Sequence, residues 1–219
     1  MEDGSRAIAL LLVRRQPTAL KVLDPQWRAD AAVVEEACLR EPKAILDALP
    51  LGEDAHRALL IRVARRHPKV LKHARARDDL RDLCDGDLEV ARAAVGCAGS
   101  ALQWTGAARD NEEIARLACA RDACVAFKWA SGRLRDTADF VRFAVDRGAD
   151  LRFASLALRK DRELVLHAIG QSAYMGYRAA HSSLKADRDE AFWAMTDDDE
   201  ENDPPKKGSG VKAKGAADA

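Results

Sequence analysis

Aromatic side chains are scarce in this sequence, at 5% of residues. Ala, Leu and Arg dominate over β-branched residues, so the composition of a sandwich or barrel is missing and an all-α protein is expected. Net charge is also missing: Lys plus Arg and Asp plus Glu number 36 each. No global field draws the chain toward nucleic acid or anionic lipid, and any electrostatic function is local. The cysteines Cys38, Cys84, Cys97, Cys119 and Cys124 are odd in number and include no C-x-x-C pair. They do not read as a secreted disulfide framework, and a reducing intracellular compartment, cytoplasmic or nuclear, is expected. No apolar run reaches membrane-spanning length. The stretch from Ala7 to Val13 follows Glu2 and Asp3, ends at Arg14 and Arg15 without a signal-cleavage pattern, and reads as a first helix. Arg6, Arg14 and Arg15 leave organellar import open, with the two early acids counting against it.

Catalytic and metal-binding patterns are equally thin. There is no glycine-rich phosphate loop, no G-x-S-x-G and no histidine in a recognisable catalytic motif. Cys119 with Cys124, and His67 with His73, stand five and six residues apart, a spacing that does not share a helix face. Cys119 itself falls on an apolar stripe, where a buried small hydrophobe is the ordinary reading. No enzymatic activity, cofactor or metal is expected.

What the chain does contain is an internal repeat. Asp161-Arg-Glu-Leu-Val-Leu-His-Ala-Ile169 aligns with Asp87-Leu-Glu-Val-Ala-Arg-Ala-Ala-Val95, Asn111-Glu-Glu-Ile-Ala-Arg-Leu-Ala-Cys119, Thr137-Ala-Asp-Phe-Val-Arg-Phe-Ala-Val145 and Asp187-Arg-Asp-Glu-Ala-Phe-Trp-Ala-Met195. Fainter copies begin at Asp54, Asp30 and Ser5, giving intervals of 25, 24, 33, 24, 26, 24 and 26 residues. Each start is a Ser, Thr, Asp or Asn, a type whose side chain accepts hydrogen bonds from the free N–H groups of a first helical turn. Acids two positions on, such as Glu89, Glu113 and Glu163, complement the positive end of the helix dipole. Apolar residues then recur at helical spacing, as in Val33, Val34, Ala37 and Cys38. A small Ala at the seventh offset (Ala37, Ala94, Ala118, Ala144, Ala168, Ala194) lets a neighbouring helix approach closely.

A second, shorter helical segment follows each stripe. Pro17, Pro42 and Pro68 mark its start in the early units, and Gly99 or Gly148 stands there later as a left-handed helix end. The segment carries Trp104, Trp129, Phe153 or Tyr177, read as core rather than as a base-stacking ladder, and exits through Trp27-Arg28, Leu134-Arg135, Leu158-Arg159 and Leu184-Lys185. The expected fold is therefore all-α, with tandem short helical hairpins of about 24 to 26 residues over 5–195 stacked as an α-solenoid, since helices this short persist only by stacking. The polar stretch 75–86 reads as an enlarged loop or bend. The acidic run 197–203 and the Lys/Gly-rich remainder of 196–219 cannot bury a core, and a disordered tail is expected there.

Phe153-Ala-Ser-Leu-Ala-Leu-Arg-Lys-Asp-Arg-Glu-Leu-Val-Leu-His-Ala-Ile169 resembles the repeat Y-A-S-x-x-L-R-x-D-x-E-x-V-L-x-A-V of the uncharacterised domain-of-unknown-function family numbered forty-one sixteen. Trp129-Ala-Ser-Gly-Arg-Leu-Arg135 is a second match, with Thr137 in place of the family's Asp. The resemblance implies architecture and carries over no activity, ligand or site.

One local feature stands out. From Arg57 to Arg81 there are nine basic residues against two acids. Arg62, Arg65, Arg66, Lys69, Lys72, Arg75 and Arg77 form the candidate partner-binding set, with Arg62, Arg65, Arg66 and Lys69 read as one helix face. The leading expectation is a non-enzymatic interaction scaffold that holds a protein partner. Nucleic-acid binding, RNA first, through the basic segment 57–81 is the second reading, and a helper subunit of a larger enzyme complex is the third. Partner identity and oligomeric state are not legible in the sequence.

Overall fold

A computed structural model describes residues 2–186. The expected repeat start at 187 and the tail 196–219 lie outside the described residues. Among the described residues every regular element is helical, and no helix is long and apolar enough to cross a membrane. The α-helices are α1 (Glu2–Arg15), α2 (Pro25–Arg28), α3 (Ala31–Arg40), α4 (Glu53–Ala64), α5 (Val70–Ala74), α6 (Asp78–Gly86), α7 (Leu88–Cys97), α8 (Glu112–Ala126), α9 (Gly132–Arg135), α10 (Ala138–Val145), α11 (Arg162–Gln171), α12 (Ala173–Ala179) and α13 (Ser182–Ala186). Short 3-10 turns lie between them.

The cap residues explain most of the starts. The Asp30 carboxylate accepts from the N–H groups of Ala32 and Val33, Asp87 from Glu89 and Val90, Asp161 from Glu163 and Leu164, and the Asn111 side chain from Ile114. Three starts differ from expectation. Ser5 lies inside α1 rather than ahead of it, and α4 is preceded by Gly52, which leaves Asp54 in its first turn. Thr137 occupies the cap position of α10, but its hydroxyl donates to the Arg133 carbonyl at 3.0 Å and caps nothing.

The expected second helix of each hairpin is mostly a 3-10 turn: Pro17–Val22, Pro42–Leu46, Gly99–Trp104, Phe127–Trp129 and Leu151–Phe153. The chain usually leaves the first helix through one extended residue. Gln16, Glu41, Ala98 and Ser172 have φ between −134° and −159°, and each N–H still reaches the carbonyl four residues back. Asp122 (φ −160°) makes the same break within α8. Gly148 is the left-handed residue anticipated after α10, at φ 85°. Gly99 is not: it is required for close approach, because a Cβ there would meet the Ala118 carbonyl oxygen at 2.4 Å. The stretch 75–86 is mainly the added helix α6, whose Leu80 and Cys84 are buried, rather than an enlarged loop.

The first helices contact one another in chain order, α1 on α3, α3 on α4, α4 on α7, α7 on α8, α8 on α10 and α10 on α11. Their stripes form one continuous core. Val33, Val34, Ala37, Cys38, Val90, Ala91, Ala94 and Val95 are fully buried, as are Phe127, Phe140 and Leu134. Trp27, Trp104, Trp129 and Phe153 are half-buried against that core, while Tyr177 is exposed.

A recurring clamp joins successive units. Arg109 Nε donates to the Trp129 carbonyl at 2.7 Å, and the Arg109 carbonyl accepts from the N–H of Ser131 at 2.9 Å. The same two-point bridge links Arg28 to Asp47 and Leu49, Arg135 to Phe153 and Ser155, and Arg159 to Ala179 and His181. Between the Pro42–Leu46 and α6 segments the direction reverses, and Arg77 reaches back to the carbonyls of Ile45 and Ala48 at 2.7 and 2.9 Å. Replacing Arg109 with Ala removes the charged donor and leaves the backbone bond in place. We expect a loss of about 1–2 kcal/mol in urea unfolding, against less than ~0.5 kcal/mol for Arg121→Ala on the exposed surface.

Candidate functional site

The seven basic candidates separate into two groups. Arg62 pairs with Glu35 at 2.7 Å, Arg75 with Asp85 at 2.8 Å, and Arg77 with Asp79 at 2.6 Å while also holding the carbonyls of Ile45 and Ala48. These three carry structural work. Arg65, Arg66, Lys69 and Lys72 are exposed, and among the described residues no ion pair is found for them. They do not form one helix face. α4 stops at Ala64, because Pro68 disfavours helical backbone at His67, so Arg65, Arg66 and Lys69 line a turn and Lys72 lies on α5.

Beside this turn runs a groove of about 360 Å³ between α4 and α7, lined by Ile61, Arg65, Glu89, Arg92, Ala93, Gly96 and Cys97. Its charges are unequal in freedom. Glu89 is engaged by Arg57 at 3.2 Å and Arg92 by Glu113 at 2.8 Å. The Cys97 thiol faces the Arg66 carbonyl at 3.8 Å, closing the groove against the turn.

Burial pushes the thiols of Cys38, Cys84 and Cys119 up to about 12, so none offers a thiolate near neutrality. Cys119 is buried, whereas Cys124 is exposed with its thiol on the Gly148 carbonyl at 3.0 Å. Among the described residues no group of three or more His, Cys, Asp or Glu is placed to hold a metal ion.

At the opposite end of α4 from the basic turn lies a small polar network that the sequence did not announce. His56 is 3% exposed, and its Nε2 accepts the N–H of Leu51 at 3.1 Å, so the ring is neutral. Burial holds this imidazole below its ordinary value of 6.5, with Asp79 opposing and Arg77 reinforcing that shift. Asp79 is held below the usual carboxylate value by its hydrogen bonds from Arg77. Nothing in the sequence around Arg77 points to the carbonyls 29 and 32 residues away that it holds.

No family model matches the chain, and no curated protein or solved structure matches it.

The His56 arrangement sets a pH dependence. The unfolded imidazole takes up a proton at higher pH than the folded one, so stability is full above 6.5 and falls as pH drops below it. Asp30, Asp79, Asp87 and Asp150 are all held below 3.8, which leaves the mildly acidic window to the histidines. His73, also lowered by burial, adds to the effect in the same direction. The melting temperature should fall between about pH 7.5 and about pH 5.5, and His56→Gln should flatten that fall while leaving the His73 share.

Proposed function

We propose that the chain is a non-enzymatic interaction scaffold, an α-solenoid of tandem helical units, whose basic turn and adjoining groove hold an acidic segment of a protein partner. The observation that carries this reading is the concentration of uncommitted charge. Around it, arginines such as Arg57, Arg62, Arg75, Arg77 and Arg92 are each met by a carboxylate of the same chain, whereas Arg65, Arg66 and Lys69 on the turn and Lys72 on α5 are exposed, and Arg65 lines the concave surface. Cations without internal counter-charges are available to an external one, and repeat arrays use such extended surfaces for binding. The architecture implied by the resemblance to the domain-of-unknown-function family supports the scaffold reading and adds no ligand to it.

A protein partner is favoured over nucleic acid by the groove's lining. It contains no aromatic side chain on which a base could stack, and Glu89 adds an acid where a phosphate backbone would pass. Binding is checked with poly-glutamate and a single-stranded RNA oligonucleotide as parallel probes. Arg65→Glu, Arg66→Glu and Lys69→Glu combined should weaken poly-glutamate binding at least ~10-fold, as expected for several exposed ion pairs, while Arg121→Glu with Lys160→Glu should leave it unchanged. Equal poly-glutamate binding by the triple variant overturns the assignment. Tighter RNA binding that declines linearly with the logarithm of salt concentration would instead establish the nucleic-acid reading.

A further inference from the structure

At most junctions one outward side chain crosses from a first helix to the first helix before it. The buried pairs set the register: Leu59 and Leu60 of α4 match Val90 and Ala91 of α7 and Phe140 and Val141 of α10. Two places after the pair, Glu36 of α3 meets Arg14 of α1 at 3.2 Å, and Arg62 of α4 meets Glu35 of α3 at 2.7 Å. From α10, the Phe143 ring centre lies 4.7 Å from the Arg116 guanidinium of α8, and from α11 His167 meets Asp146 at the end of α10 at 2.6 Å. At the same place α7 carries Ala93, whose methyl group is too short to cross to α4.

The groove between α4 and α7 is the space that this leaves. Gly96 widens it, since a Cβ there would meet no atom within 4 Å. The facing position on α4 is apolar as well. One place before the crossing residue, α3, α7, α8 and α10 carry Glu35, Arg92, Arg116 and Arg142, whereas α4 carries Ile61, half-buried and lining the groove. At about 360 Å³ the space reaches the lower part of the ~300–1,000 Å³ range of ligand sites.

We infer that the groove seats one bulky aliphatic side chain of an acidic peptide, the size of leucine, which bridges Ile61 and Ala93 as Arg62 and Phe143 bridge their own junctions. The inference rests on the reading that the basic turn holds an acidic segment, and adds to it the side chain that fixes the segment's register. Charge selects the peptide. Glu89 and Arg92 at the groove's edge are engaged by Arg57 and Glu113, whereas Arg65 is exposed with no ion pair found among the described residues. It receives a carboxylate placed next to the anchor. An anchor that fills the apolar floor also shields that ion pair from water, and a buried anchor ringed by polar contacts supplies most of the binding strength of an interface.

Fluorescence anisotropy on the full chain tests it with two labelled probes, a poly-glutamate peptide carrying one central leucine and the same peptide with serine there. The leucine probe should bind at least ~10-fold tighter, the scale of burying one aliphatic side chain. Ala93→Phe, which copies Phe143 of α10, and Gly96→Leu should each bring the leucine probe to the serine probe's affinity. Both should leave serine-probe binding and the helical circular dichroism spectrum unchanged. Bound leucine probe should also slow iodoacetamide alkylation of Cys97, which lines the groove, and leave that of the exposed Cys124 unaltered. Equal binding of the two probes overturns the anchor and leaves the acidic-segment reading standing. Failure of both probes to bind overturns both. A leucine preference that survives both variants, with Cys97 alkylated as before, puts the leucine on another surface and overturns the groove assignment.

Discussion

The two-point arginine clamp joins neighbouring segments of the chain at four junctions. At each clamp the guanidinium donates to the carbonyl of one residue of the next unit while the arginine's own carbonyl accepts the N–H two residues further on. The groups it joins lie at the ends of short helices or in the turns after them, where they would otherwise need water, and the clamp satisfies them across the junction. It fixes distance and rotation together, since a slip by one residue misses both bonds. The Ala-Ser-x-x-Leu-Arg wording of the later units follows from this geometry. Ala130 and Ala154 are buried, the Ser131 and Ser155 hydroxyls accept from the N–H groups of Leu134 and Leu158, and the terminal arginine reaches the next unit. In the third copy His181 stands for Ser, and its Nδ1 accepts from the Ser183 N–H.

Electrostatics along the outer surface follow the same periodic logic. Arg92 meets Glu113 and Arg142 meets Glu163, each joining the middle of one first helix to the opening turn of the next. Individually such exposed pairs contribute little to stability, but they give Glu113 and Glu163, the acids two positions after their caps, a partner on the preceding helix. A helix-start acid therefore serves both the dipole and the preceding unit. Against that background of internal pairing, Arg65, Arg66 and Lys69 on the turn after α4 and Lys72 on α5 are exposed, with no ion pair among the described residues.

Much of the helical layout is legible in the sequence because cap and stripe are local signals. Asp30, Asp87, Asn111 and Asp161 act on their own first turns, and the apolar offsets report burial directly. The unread parts are those decided by distant partners. Asp54 resembles a start, but Gly52 precedes the helix and Asp54 sits in its first turn, while His56 accepts the Leu51 N–H. The segment 75–86 is polar enough to suggest a loop, yet Leu80 and Cys84 lie one turn apart and anchor α6. Arg62, Arg75 and Arg77 share the composition of their uncommitted neighbours, and only their placement opposite Glu35, Asp85 and two carbonyls removes them from the binding set. The exits Arg28, Arg135 and Arg159 were visible as a recurring residue, but the carbonyls they reach belong to the next unit and leave no mark in sequence.

Native-state hydrogen exchange at the clamp amides tests this account most directly. Leu49, Ser131, Ser155 and His181 lie outside regular helix and donate across unit junctions at 2.9 to 3.0 Å. If the clamps hold the units together, these amides exchange as slowly as those of the adjoining helices, because they open only when a junction opens. Exchange at the rate of an unstructured peptide at these positions, with the helices still protected, would contradict it.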